Sequence, residues 1–192
     1  TLSELVKEFK IENVQKSPAV FNIEKLNDIN EKYIRELGRL GKLGRLGILK
    51  ELELSEGELG LAGRGGFKTL KEIAEYVEEL RKDPEYPAEM LVFKKSDKGK
   101  ALVGLKKVLE KMKMVEDDKD SRETEEDYRR ILGEVVSENK LANGDVFWPV
   151  RVALSGAEKS PSPVELMMAL GREESAKRIE KGIRKLDQWN AK

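Results

Sequence analysis

Thr69-Leu-Lys-Glu-Ile-Ala-Glu-Tyr-Val-Glu-Glu-Leu80 is the stretch whose reading decides the fold. Leu70, Ile73, Ala74, Val77 and Leu80 recur every three or four residues, which gathers them into one apolar stripe on a helix. Thr69 and Glu72 stand at the spacing of a capping box, in which a hydroxyl and a carboxylate satisfy the free N–H groups of a first turn. The same period returns in Leu102, Leu105, Val108, Leu109 and Met112, in Tyr128, Ile131, Leu132 and Val135, and in Ala176, Ile179, Ile183 and Leu186. Ser162, Pro163 and Glu165 combine an N-cap hydroxyl, a first-turn proline and a third-position carboxylate, so another helix begins there. Period-two alternation is confined to Ala88–Phe93, which predicts at most one short extended segment. The pattern predicts an all-α fold, a helical bundle.

The chain has 192 residues, enough to bury a core without disulfides or metals. Lysine plus arginine number 37, as do aspartate plus glutamate, so any basic surface has to be local. Histidine and cysteine are absent, which removes imidazole catalysis, thiolate chemistry and the usual zinc ligands. No metal site is expected. No apolar run approaches the roughly 20 residues of a membrane span, and the first ten residues lack the order of a signal peptide. A soluble, cytoplasmic, monomeric protein with no membrane or DNA partner is the expectation.

Nine of the 16 glycines fall between Gly38 and Gly66, including a Leu-Gly repeat from Leu37 to Gly47. Each glycine inside a helix costs about 1 kcal/mol relative to alanine, so this stretch is weakly helical or a connection. Arg39, Lys42, Arg45 and Lys50 make it locally basic, and both a phosphate-contacting loop and a solvated linker are open readings. The acidic stretch Glu116 to Asp127 repels phosphate and reads as a solvated connection leading into a first helical turn.

Two blocks carry a family resemblance. Val20-Phe-Asn-Ile-Glu-Lys-Leu-Asn-Asp-Ile-Asn-Glu-Lys-Tyr-Ile-Arg35 resembles the stretch that succeeds the catalytic core of glutamyl-tRNA synthetases, with Phe21, Lys25, Leu26, Asn30, Tyr33 and Ile34 matching. Asn22 and Asp28 depart from the usual aspartate and tryptophan. Phe147-Trp-Pro-Val-Arg-Val-Ala-Leu-Ser-Gly156, with Ser160-Pro161 and Leu170-Gly171-Arg172-Glu173 downstream, resembles the family's Phe-x-Pro-Leu-Arg-x-Ala-Leu-Thr-Gly block with its downstream Ser/Thr-Pro and Leu-Gly-x-Glu. Lys68-Thr69-Leu70-Lys71-Glu72 resembles the helix start between them. The resemblance implies the end of a stem-contact region at 1–35, a first helical anticodon-binding subdomain with the glycine-rich connection at 36–82, and a second at 83–192.

The resemblance also implies that the adenylate-forming core is absent, because the family holds ATP phosphates with a His-Ile-Gly-His type motif and this chain has no histidine. ATP and Mg²⁺ would belong to the catalytic domain of a parent enzyme, and this chain would hold no cofactor. Lys111-Met112-Lys113-Met114 superficially resembles the family's Lys-Met-Ser-Lys-Ser loop, but Met112 continues the apolar stripe of its own helix. It reads as core and surface.

Unpaired RNA bases are read by stacking on aromatics or guanidinium planes and by donors to their edges. By the resemblance, Trp148, Arg151, Ser160 and Pro163 fall at positions that approach anticodon bases, beside Pro161, with Ser155 and Gly156 shaping the turn. The partner implied is glutamate tRNA. Where family members restricted to glutamate tRNAs carry an arginine two residues before the Lys/Arg-Thr-Leu start, this chain has Gly66. The implied consequence is relaxed specificity that also accepts glutamine tRNA, with Arg64 as a rival reader of the same base. From the residues alone, Phe147 and Trp148 before a proline equally suit a helix closing against the core. The last helix, with Arg172, Lys177, Arg178, Lys181, Arg184 and Lys185, reads as a basic outer face that serves as structural surface. A helical protein-interaction module is the alternative class, and a stand-alone enzyme finds no nucleophile–base pair.

Overall fold

The computed structural model describes residues 2–14, 20–43, 52–114 and 124–190. Among them are eight α-helices and no strand: α1 (Leu2–Glu8), α2 (Ile23–Arg39), α3 (Glu56–Gly60), α4 (Leu70–Arg81), α5 (Lys98–Met114), α6 (Glu125–Glu138), α7 (Asn143–Ser155) and α8 (Pro163–Gln188). The all-α expectation holds. Arg45 and Lys50 of the glycine-rich stretch, and residues 116–123 of the acidic one, lie outside the described residues. No described helix is long and apolar enough to cross a membrane.

The predicted starts are made by the predicted chemistry. The Glu165 N–H donates to Ser162 Oγ at 3.3 Å while the Ser162 N–H donates to Glu165 Oε2 at 2.7 Å, with Pro163 in the first turn. At α4 the Glu72 N–H donates to Thr69 Oγ1, but the Glu72 carboxylate takes the Lys68 N–H instead of that of Thr69. The stripe residues Ile73, Val77, Leu80, Leu105, Val108, Met112, Tyr128, Ile131, Leu132 and Val135 are all buried.

Helices α5, α6, α7 and α8 pack on one another to form the main bundle. Pro149 sits inside α7 and is buried, so the proline after Trp148 does not close the helix as its position suggested. Lacking an N–H, it leaves the Asp145 carbonyl without its usual helical partner. Helix α5 comes in against that carbonyl at Gly104, where a Cβ would lie 2.4 Å from the oxygen. Helix α8 is interrupted at Gly171, whose φ of 73° and ψ of 171° belong to a region that only glycine occupies readily.

Two expectations are corrected. Ala88–Phe93 pairs with no strand: Ala88–Leu91 is a 3-10 turn, and its Met90 carbonyl accepts the Trp148 indole N–H at 2.8 Å. The basic row on α8 is only partly an outer face: Lys177 and Arg184 are exposed, but Arg178, Lys181 and Lys185 turn against neighbouring elements. Arg178 is 2% exposed and bridges two helix ends, donating to the Leu154 carbonyl of α7 at 2.6 Å and to the Leu80 carbonyl of α4 at 2.9 Å, with Glu174 on its Nε at 2.7 Å. Helix C-termini present carbonyls with no intrahelical donor, and a cation among them also meets the negative end of each dipole. One turn on, Lys181 binds Asp83, Glu85 and the Pro84 carbonyl, and Lys185 binds the Tyr86 carbonyl at 2.7 Å. Arg178, Lys181 and Lys185 form a clasp that straps residues 80–86 onto α8.

Candidate nucleic-acid interface

Helical spacing puts Phe147, Trp148 and Arg151 on adjoining parts of one face of α7, one and four residues apart. That face looks into a pocket of about 210 Å³ whose other walls are Asn143 and Gly144 at the start of α7, Pro163 at the start of α8, and Phe93. The Arg151 guanidinium lies over the Trp148 ring, 4.7 Å from its centre. Phe93 meets the same indole at 5.4 Å between centres, with the planes inclined at 54°. Gly144 leaves space for this packing: a Cβ there would sit 2.6 Å from the Phe93 ring.

The indole N–H is already taken up by the Met90 carbonyl, so Trp148 offers a held ring surface and no donor. Arg151 is the opposite case. Its Nε–H is buried and finds no partner. An unsatisfied buried donor costs about 1–3 kcal/mol, and a charged one more, unless something completes it. Aromatic rings beside a guanidinium whose Nε–H lacks an acceptor suit a flat ring with an acceptor on its edge.

Next to the pocket, Gly156 ends α7 in the left-handed conformation with φ 68°, and its N–H donates to the Val152 carbonyl. Ser155 Oγ donates to the Arg151 carbonyl at 2.8 Å and stands 3.1 Å from Ser160 Oγ, while Pro161 is buried. The two hydroxyls knit the turn that sets Pro163 at the pocket mouth.

Of the expected site residues, Trp148, Arg151 and Pro163 share the pocket, and Ser155, Gly156, Ser160 and Pro161 build its flank. Arg64 and Gly66 lie apart, on the turn at Leu61–Arg64 and just beyond it, against α2. Tyr76 lies within electrostatic reach of Arg64. Burial raises its hydroxyl's pKa, the Arg64 guanidinium pulls against that rise, and the Glu165 carboxylate of α8 adds to it. Phe93, Asn143 and Gly144 are the pocket residues that sequence reasoning does not single out; the signal at Phe93 is an aromatic next to Lys94 and Lys95.

Lys111 to Met114 does not form a nucleotide loop: Met112 is buried, Lys111 pairs with Glu134 and Glu138, and Lys113 pairs with Glu180. Both lysines of this segment are therefore engaged with carboxylates.

Residues 2–183 match the family model described as an anticodon binding domain. Curated relatives include a glutamate–tRNA ligase of Clostridium kluyveri, 34% identical over 96% of this chain, and one of Clostridium novyi, 33% identical over 98%. The chain spans 38% and 40% of the length of those two proteins. Among solved structures, glutamate–tRNA ligases of Elizabethkingia meningosepticum and Elizabethkingia anophelis superpose with TM-scores of 0.63 and 0.61 at 22% and 24% identity. Each superposition covers 96% of this chain and 36% of theirs, and shows the shared fold. The pocket lies inside the matched region, and the chain belongs to the anticodon-binding domain family, of the kind found in glutamate–tRNA ligases.

Proposed function

We propose that the chain binds the anticodon loop of glutamate tRNA and positions it for ATP-dependent glutamylation by the catalytic part of a glutamate–tRNA ligase, in the cytoplasm and as a monomer. ATP and Mg²⁺ act in that catalytic part, and what this chain supplies is recognition. The observation that carries the reading is the buried, unpartnered Nε–H of Arg151 beside the Trp148 and Phe93 rings. In this reading one unpaired base enters the pocket, lies against the indole and gives Arg151 the acceptor it lacks.

The test is a titration with unmodified glutamate tRNA. Arg151→Ala is expected to weaken binding by about 1–3 kcal/mol, roughly tenfold to a hundredfold, while melting stays unchanged. Unaltered affinity would remove Arg151 from the interface, and a large fall in Tm would make it a structural residue.

The specificity reading rests on Gly66. It has no side chain, and its N–H is taken by Glu31 Oε1 at 3.0 Å, so it offers no free donor with which to tell one base from another. Arg64 is exposed at the end of its turn, and ordering its free side chain costs rotamer entropy of up to about 2 kcal/mol. Glutamine tRNA is therefore expected to compete with glutamate tRNA. A hundredfold preference for glutamate tRNA that Arg64→Ala erases would make Arg64 the reader instead.

A further inference from the structure

An aromatic pair with an arginine close by occurs twice among the described residues. Phe93 and Trp148 with Arg151 make the pocket at the starts of α7 and α8. The other pair is Phe67 and Tyr76, whose ring centres lie 5.7 Å apart with planes inclined at 63°, an edge-to-face contact. Phe67 follows Gly65 and Gly66 and is buried, and Tyr76 stands half-buried on α4. Arg64, at the end of its turn, lies within electrostatic reach of the Tyr76 hydroxyl, and so does Glu165, two residues beyond Pro163 on α8.

The hydroxyl sets Tyr76 apart. Of the four tyrosines, Tyr33 stands largely in water, while Tyr86 and Tyr128 are buried. Tyr76 is the intermediate case: its ring is held on Phe67 and packed against the core, yet its oxygen reaches the surface, as that of Tyr86 does not. The Tyr76 oxygen makes no hydrogen bond among the described residues. A phenylalanine would pack the same ring, so the fold makes no use of the hydroxyl. Because the ring is ordered before any ligand arrives, a contact through its oxygen avoids most of the rotamer entropy that the exposed Arg64 side chain has to lose.

A hydroxyl both donates and accepts, and with a cation and a carboxylate near it the place suits a group that carries a donor and an acceptor side by side. The edge of an unpaired base is such a group. A phosphate offers acceptors only and would meet the Glu165 carboxylate as a like charge. There is also room: a Cβ on Gly66 would meet no atom within 4 Å, so the chain beside Phe67 is open to an incoming ring. We propose that Tyr76 is a second base contact, its hydroxyl bonding the edge of one unpaired anticodon base while another occupies the Arg151 pocket. The inference rests on the tRNA-binding reading and adds to it a residue and a second base.

Affinity of the whole chain is measured for unmodified glutamate tRNA and for three forms of it, each lacking the base at one anticodon position. Tyr76→Phe is expected to weaken binding of the intact tRNA about two- to tenfold, the contribution of one neutral hydrogen bond, with Tm unchanged. That loss should vanish with one of the three abasic tRNAs, and the loss caused by Arg151→Ala should vanish with a different one. Unaltered affinity of Tyr76→Phe, a loss that persists with all three abasic tRNAs, or two losses that vanish with the same one overturns the second contact while the Arg151 reading stands. A Tm several degrees lower in Tyr76→Phe makes the hydroxyl structural and overturns it as well. Failure of the unaltered chain to bind glutamate tRNA at low salt overturns both readings.

Discussion

Residues 2–43 and residues 52–190 are built from similar helices but keep their apolar side chains in opposite places. In the first region Val20 is 91% exposed and Phe21 74%, with Leu5, Val6, Phe9, Ile23 and Tyr33 also largely in water, and only Ile34 and Leu43 are buried among its described residues. In the second, Val103 and Met114 are the only large apolar side chains exposed among the described residues. Ion pairs divide the same way: those between described residues begin at Glu58. An amphipathic helix gains little stability until its apolar face is covered, so α2 contributes far less to folding than its composition suggests. The stability of the chain is therefore concentrated in the bundle and in the clasp around α8, while the first region is held on by Ile34, Leu37 and Leu43 and by a few polar ties and glycine contacts.

The sharpest break of this comparison is at Arg178. Arg178→Met keeps an apolar stem but strands the Leu80 and Leu154 carbonyls, the ends of two helices, in a closed interior. Removing one partner from a buried charged network costs about 3–5 kcal/mol, which for a chain of this size lowers Tm by roughly 10 °C or more. Thermal unfolding followed by circular dichroism measures it. A loss below about 1 kcal/mol would show that the clasp is dispensable and that the bundle does not depend on it.

A smaller effect is expected where α3 meets α4. Burial pushes the Glu58 carboxyl up, but the paired bonds from Arg81 at 2.7 and 2.9 Å and the donors from Ser55 outweigh it and hold its pKa below the usual 4.5. A carboxylate depressed in the folded state stabilises it above the unfolded pKa and loses that contribution as pH falls through the folded value. Glu58→Gln should therefore melt lower than the parent at pH 7, and the gap should close as pH drops below about 4.5. A gap that stays constant with pH would mean that Glu58 acts through packing rather than charge.

What the sequence makes legible is local. Caps at Thr69 and Ser162 are read within four residues of sequence, and the buried stripes come from helical period alone. Arg178 reads as surface because the carbonyls it serves are 24 and 98 positions away, and nothing near it distinguishes a buried arginine from a solvated one. Phe93 escapes notice for the same reason: its partner Trp148 comes from another element, and the alternation leading up to it looks like a strand. Pro149 reads as a helix end because the close approach of Gly104 to the freed carbonyl is a contact between helices. The resemblance supplies Arg151 and Trp148, but only the structure shows that the indole donor is used up and the guanidinium is not.

The smallest expected effect tests the exposed face itself. Phe21→Ser and Leu26→Ser remove large apolar side chains at the start of α2, and if those side chains stand in water as the geometry shows, each should change stability by no more than about 0.5 kcal/mol. The same changes should lower the chain's binding of an apolar fluorescent dye, because they erase surface that the dye can cover. Leucine-to-alanine changes inside a core cost about 2–5 kcal/mol, so the two outcomes are far apart on a melting curve. A loss of that size at Phe21 or Leu26 would mean that the face is packed within the chain in solution, and the contrast between the two regions would fall with it. An unchanged Tm with reduced dye binding would locate folding stability in residues 52–190 and leave the apolar face at the start of α2 open to water.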